Sequence, residues 1–168
     1  GNKNEALPVI AASLLSSEPV EIDNVPRIKD VEVMVEILAA LGAEATWSGE
    51  NHLRIHARNI ERGRPTPELA QRIRASILLA GPLLARTGEV VLPPPGGDVI
   101  GRRRLDTHFH AFEALGASVE VGAHYRLSAV KLTGAEIFLD EPSVTGTENA
   151  MMAAVLATGR TEILNAAC

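Results

Sequence analysis

Aromatic residues are scarce: one Trp, one Tyr and three Phe, 3% of a chain of 168 residues. A core without large rings must be filled by Leu, Ile, Val and Ala, and side chains that small let helices approach closely. Cysteine is nearly absent. The single Cys168 excludes an internal disulfide framework and fits a reducing compartment. No apolar run reaches the roughly 18 residues of a membrane-spanning helix, and no basic stretch followed by an apolar one stands at the start. The expectation is a soluble, cytoplasmic protein with no membrane partner. An excess of positive charge is also missing. Lys and Arg number 16 against 21 Asp and Glu, a net charge of −5, which argues against nucleic acid as a partner.

Clusters of metal ligands are missing too. His108 and His110 are two apart on a predicted helix and so face different sides, while His52, His56 and His124 belong to strands or turns. All five histidines read as structural or solvated, and neither a metal nor a cofactor is expected. Trp47 reads as a packed or surface residue. Both ends of the chain are expected to continue into something longer.

What the chain does have is self-similarity. Residues 5–56 run from EALPVIAASLLSSEPVEIDNV through DVEVMVEILAALGA to EATWSG and HLRIHA. Residues 74–130 repeat that order, from RASILLAGPLLARTGEVVLP through DTHFHAFEALGA to SVEVGA and YRLSAV. The Leu-Gly-Ala triplets beginning at Leu41 and Leu115 mark equivalent points. A third unit opens near Thr147 and stops partway, with Asn165 standing where Asn24 stood. One domain over 1–168 is expected, with repeats at about 1–62, 66–140 and, in part, 141–168.

Each unit reads helix, strand, helix, strand, strand. In the leading helices Leu7, Ile10, Leu14 and Leu15, then Ile73, Ile77, Leu83 and Leu84, then Met151, Met152, Val155 and Leu156 are the expected packing residues. Asn4, Thr66 and Thr147 are the expected N-caps, with Pro8 in a first turn, Pro82 kinking the second helix, and Gly88 and Gly159 ending the second and third. Helices with so little polar face are expected to be buried. The second helices are half polar: Val31, Met34, Val35, Leu38 and Leu41 form one stripe with Glu32 and Glu36 off it. Phe109, Phe112 and Leu115 repeat that stripe behind Asp106 as cap. The fold class is therefore α/β, with apolar helices at the centre wrapped by short sheets and amphipathic helices.

Candidate chemistry gathers in three places. Residues 93–106, PPPGGDVIGRRRLD, put a carboxylate, Asp98, between stiffening prolines and freeing glycines and follow it with three arginines. The glycine spacing matches neither a P-loop nor a dinucleotide fingerprint, and taken alone the stretch reads as a solvated turn. Lys3 precedes the first buried helix and Arg74 lies early in the second, so stacked repeats bring Lys3, Arg74 and Arg103 to one rim, an anion site. Ser143 to Asn149, SVTGTEN, offers hydroxyls and free backbone groups that suit a polar ligand or, taken alone, a plain helix cap.

These stretches together resemble the enolpyruvyl transferases. GNKNEALP, RASILLAGPLLAR, LPPPGGDVIGRRRLDTH and PSVTGTENAMMAAVLATG carry the resemblance across nearly the whole chain. It implies an inside-out α/β barrel domain built from βαβαββ-type repeats, paired with a second such domain absent from this chain. It further implies transfer of the enolpyruvyl group of phosphoenolpyruvate to the 3-hydroxyl of UDP-N-acetylglucosamine, by addition and elimination with release of phosphate. That is the first committed step of peptidoglycan synthesis.

By the same resemblance Lys3, Arg74 and Arg103 bind phosphoenolpyruvate, and Lys3 and Asp98 are catalytic. Asn4, Arg74, Arg103, Arg104, Leu105, Asp106, Thr107, Ser143, Val144 and Thr145 correspond to the amino-sugar nucleotide site. The family's general base and a further arginine lie in the partner domain, so this stretch alone is expected to be inactive. Asp98 replaces the usual cysteine that fosfomycin alkylates, which implies insensitivity to that antibiotic. Arg104, Thr107, Glu141 and Thr145 replace the usual proline, leucine, lysine and glycine. Two other readings stay open: a transferase acting on a modified acceptor or shikimate 3-phosphate, and a non-catalytic binding module on the same scaffold.

Overall fold

The computed structural model describes residues 1–60, 63–96 and 105–167. Asp98, Arg103, Arg104 and Cys168 lie outside the described residues.

The two full units build the same sheet. Strands β1 (Val20–Ile22), β2 (Glu44–Ser48) and β3 (His52–His56) run in the order β1-β3-β2, and β4 (Glu89–Leu92), β5 (Ser118–Val121) and β6 (Tyr125–Ser128) in the order β4-β6-β5. All four pairings are antiparallel. In each sheet the hairpin's second strand takes the middle and the unit's first strand closes on its far edge. Alternation then decides which face is buried: Leu53 and Ile55 point to the core and Arg54 between them points out. In the third unit β7 (Glu136–Phe138) and β8 (Glu162–Leu164) pair in parallel across a helix. An isolated parallel bridge from Gly63 to Val90 marks the same crossover in the second unit.

The second helices, α2 (Lys29–Ala40) and α5 (Asp106–Ala114), end alike. Gly42 and Gly116 sit at φ +102° and +93°. Their N–H groups donate to Ala39 and Glu113 at 3.0 and 2.9 Å, and those of Ala43 and Ala117 reach back to Leu38 and Phe112 at 3.0 Å each. Both are Schellman motifs, for which the left-handed residue is best a glycine. Asn24 and Asn165, matched from the repeat, are the two non-glycine residues with positive φ among those described, both at 58°. Asparagine tolerates that conformation better than most side chains. The expected stripe of α2 is buried, and Val33 and Ile37 join it.

The leading helices fill the centre. Helix α1 (Lys3–Ala12) packs on α2 and on a 3₁₀ segment at Arg74–Leu79, while α4 (Ala80–Thr87) packs on α6 (Val144–Ala154). Leu7, Ile10, Leu79, Leu83, Ala150 and Ala153 are buried in one continuous core with the sheet interiors. Small residues set the spacing. A Cβ on Gly81 would stand 2.6 Å from the backbone oxygen of Asn149, so α4 and α6 touch backbone to backbone. Gly81→Ala is expected to destabilise the full-length protein by about 1–3 kcal/mol, the cost of overpacking a rigid contact. Its position in the first turn of α4 limits any compensating gain in helix propensity. Chemical denaturation checks this, and an unchanged midpoint refutes it.

Several local expectations are corrected. Asn2, not Asn4, caps α1, its side-chain oxygen accepting the Asn4 N–H at 3.0 Å; Pro8 therefore lies inside the helix rather than in its first turn. Ser143 caps α6 by accepting the Gly146 N–H at 3.1 Å, and Thr147 is interior, its hydroxyl donating to the Ser143 carbonyl at 2.8 Å. The helix starts earlier because an oxygen stands earlier, and it ends at Ala154, short of Gly159. Asp106 is the first residue of α5, after Leu105, where its carboxylate still favours the dipole.

The leading helix of the second unit is not one helix. It divides into α3 (Pro67–Ala70), the 3₁₀ segment and α4, with Ile73 extended at φ −135°. Pro82 explains the restart at Ala80: deep in a long helix its ring would clash with a carbonyl one turn back, whereas in a first turn its missing N–H costs nothing. Thr66 makes no side-chain cap bond, and Gly88 ends the helix as expected at φ +74°. On α6 Met152 packs but Met151 is exposed, and Val155 and Leu156, just past its end, are exposed as well.

Candidate functional site

Three helix beginnings converge. Lys3 opens α1 directly after its cap, Arg74 opens the 3₁₀ segment after the extended Ile73, and Ser143 to Thr145 form the cap and first turn of α6. With Leu105 and His108 at the start of α5 they line one cavity of about 640 Å³. That is large enough for a sizeable ligand. Seven predicted site residues meet there: Lys3, Asn4, Arg74, Leu105, Ser143, Val144 and Thr145. Asp106 and Thr107 follow on α5 but are not part of its wall. Thr107 is buried and donates its hydroxyl to Asp140 Oδ1 at 2.6 Å, the main cause holding that carboxyl below its usual pKa.

The wall carries both signs of charge. Lys3 and Arg74 supply the cations, and the amino ends of α1 and α6 add the positive ends of their dipoles. Asp30, Glu141 and Glu148 supply carboxylates. Lys3 Nζ lies 3.1 Å from Asp30 Oδ2, a half-exposed pair worth about 0–1 kcal/mol and easily opened by a competing anion. Partial burial raises the Glu148 pKa.

His108, expected like the other histidines to be structural or solvated, is structural and also reaches the cavity. It is 1% exposed yet lines the cavity, and its Nε2 is 3.2 Å from Thr145 Oγ1. Burial first, and the Arg74 charge second, lower its pKa to about 4, so the ring is neutral at physiological pH. The signal was present in the sequence: His108, Ala111, Phe112 and Leu115 stand at helical spacing on the buried face of α5. Asp30 and Glu148 gave no such signal, being ordinary acids near helix starts. Among the described residues no group of three or more His, Cys, Asp or Glu could hold a metal ion. No described helix is long and apolar enough to cross a membrane.

Comparison with known proteins extends the geometry. The family model of EPSP synthase (3-phosphoshikimate 1-carboxyvinyltransferase) matches residues 1–168. A UDP-N-acetylglucosamine 1-carboxyvinyltransferase of Bradyrhizobium diazoefficiens is 62% identical over 167 residues, covering 99% of this chain and 39% of that protein. A protein of the same name from Treponema denticola is 56% identical with the same coverage. The chain thus spans about two fifths, 39%, of the length of these curated relatives. Among solved structures, the enolpyruvyl transferase NikO of Streptomyces tendae superposes with a TM-score of 0.84 at 22% identity, over 97% of this chain and 39% of that one. An EPSP synthase of Acinetobacter baumannii gives 0.75 at 14%, over 97% and 38%. At such identities the structures establish a shared α/β fold and nothing about ligands.

Proposed function

The chain belongs to the EPSP synthase (3-phosphoshikimate 1-carboxyvinyltransferase) family, and from that premise we propose that the full-length protein moves an enolpyruvyl group from phosphoenolpyruvate to the 3-hydroxyl of UDP-N-acetylglucosamine. The observation that carries this reading is the shared cavity that Lys3 and Arg74 line together with the hydroxyl-bearing first turn of α6. Such a wall suits a doubly anionic small substrate at the cations and a sugar nucleotide along the helix start.

The chemistry has two steps. In the first, the acceptor hydroxyl yields its proton to a base and its oxygen bonds to C2 of phosphoenolpyruvate, while the carbon–carbon double bond opens and Asp98 gives a proton to the methylene carbon, producing a tetrahedral ketal. In the second, that proton-bearing carbon is deprotonated as the C–O bond to phosphate breaks, restoring the double bond and releasing phosphate. Lys3, Arg74 and Arg103 hold the phosphate and carboxylate charges throughout. Asn4 and residues 103–107 and 143–145 hold the nucleotide sugar. A second domain of the same protein supplies the base and closes the cavity, so this stretch alone does not turn over. The reaction is the first committed step of peptidoglycan synthesis and takes place in the cytoplasm.

A second reading, shikimate 3-phosphate as acceptor, has the family model's name in its favour. The relatives at 62% and 56% identity, both named for the nucleotide sugar, favour the first. Acceptor-dependent phosphate release by the full-length protein separates them. Release with UDP-N-acetylglucosamine and none with shikimate 3-phosphate is expected; the reverse pattern overturns the assignment.

A further inference from the structure

Behind the cavity wall lies a buried hydrogen-bond relay whose direction the backbone fixes. The Gly81 N–H can only donate, so the Asn149 atom 2.8 Å from it is the amide oxygen. The other terminal atom is therefore the NH₂ group, and it donates to the Ile77 carbonyl at 2.9 Å. Its second hydrogen meets His108 Nδ1, also at 2.9 Å. A ring nitrogen that receives an N–H carries a lone pair and no proton. The proton of the neutral imidazole consequently sits on Nε2, which donates to Thr145 Oγ1 at 3.2 Å. The threonine oxygen is then an acceptor toward the histidine, and its own hydrogen, which has no acceptor among the described residues, is left for the cavity that Thr145 lines.

We propose that Asn149 is a positioning residue of this site: it locks His108 as the Nε2–H tautomer and thereby presents the Thr145 hydroxyl as a hydrogen-bond donor to a phosphate oxygen of the bound nucleotide sugar. Asn149 and His108 are 0% and 1% exposed, so neither amide nor ring can turn without stranding a polar group in the core. Protonating the ring would set an Nδ1–H against the amide's own N–H. Arg74, from the 3₁₀ segment, opposes that extra charge as well. Lys3, Asp30, Glu141 and Glu148 complete the charged groups on the same cavity. Asn149 itself is not part of the wall, and it acts only through His108.

The ligand half rests on the nucleotide-sugar reading, whereas the tautomer half does not. Nitrogen-15 spectra of the ligand-free full-length protein are expected to show His108 neutral and protonated at Nε2 at neutral pH; an Nδ1–H ring or an imidazolium overturns the lock. Asn149→Asp keeps an oxygen for Gly81 but offers His108 Nδ1 an acceptor. The ring proton should move to Nδ1, Nε2 should take the Thr145 hydrogen, and UDP-N-acetylglucosamine binding by calorimetry should weaken about tenfold, the worth of one hydrogen bond to a charged group. Should that variant fold poorly, Thr145→Val is expected to lose the same factor with an unchanged His108 spectrum, and Thr145→Ser to retain affinity. Parental affinity in Thr145→Val overturns the donor role. If the parent binds no UDP-N-acetylglucosamine, the functional reading and the donor role fail together, while the spectrum still decides the tautomer.

Discussion

Full-length protein carrying Asp98→Asn is expected to lose turnover by about 10²–10⁴-fold while both substrates still bind with near-parental affinity. The factor is that of removing a positioned general acid. Asparagine has the shape of aspartate but no proton of comparable acidity to give to the methylene carbon. Binding should survive, because the proposed mechanism assigns the charges that hold phosphoenolpyruvate to Lys3, Arg74 and Arg103. An aspartate in water has a pKa near 3.9 and is ionised at neutral pH, so Asp98 can serve as an acid only if its surroundings raise that value. Exclusion of water from the proposed substrate site would do so. Phosphate release paired with calorimetry of each substrate checks the prediction. Turnover that persists in Asp98→Asn removes the acid role; loss of both binding and turnover marks Asp98 as a binding residue instead.

Local chemistry made much of the fold legible. The Leu-Gly-Ala triplets marked equivalent points of the two units, and there Gly42 and Gly116 form the same Schellman geometry within 9° of φ, from 102° to 93°. Asn24 and Asn165 were matched by position and share one left-handed conformation. The stripe on α2 was readable because helical periodicity repeats every turn. Helix starts were less legible, since a cap is decided by whichever oxygen reaches the first free amides: Asn2 lies two residues before Asn4, and Ser143 four before Thr147. The break before α4 was hidden because apolar spacing continues smoothly through Ile73 and Ile77 while the backbone does not.

The candidate site divides in the same way. Lys3, Asn4, Arg74 and Ser143 to Thr145 stand at element beginnings, where a motif read along the chain also marks a place in space. The relay behind them could not be read. His108 and Asn149 are separated by 41 residues, and Asn149 and Gly81 by 68, so their meeting is a property of how α4, α5 and α6 pack. The same small residues that leave room for that packing, Gly81 first among them, also place the amide that fixes the ring. Tertiary structure turned one histidine from a core residue into part of a wall.

Fosfomycin supplies the other large effect. The full-length protein is expected to keep its phosphate release after prolonged exposure to the antibiotic, and Asp98→Cys is expected to make inactivation irreversible and complete. The reasoning is one of nucleophilicity at a single atom. A cysteine there has a free pKa near 8.5 and supplies thiolate in proportion as nearby cations lower it. Arg102, Arg103 and Arg104 stand within a few residues of position 98 in sequence. A carboxylate presents an oxygen that is a far weaker nucleophile toward an alkylating agent, so Asp98 forms no lasting bond and the drug leaves on dilution. Mass spectrometry of the treated Asp98→Cys protein should find the added mass on the peptide containing residue 98. Rapid irreversible loss of activity in the Asp98 protein would mean that some other group is alkylated, and the prediction that Asp98 confers insensitivity would fall.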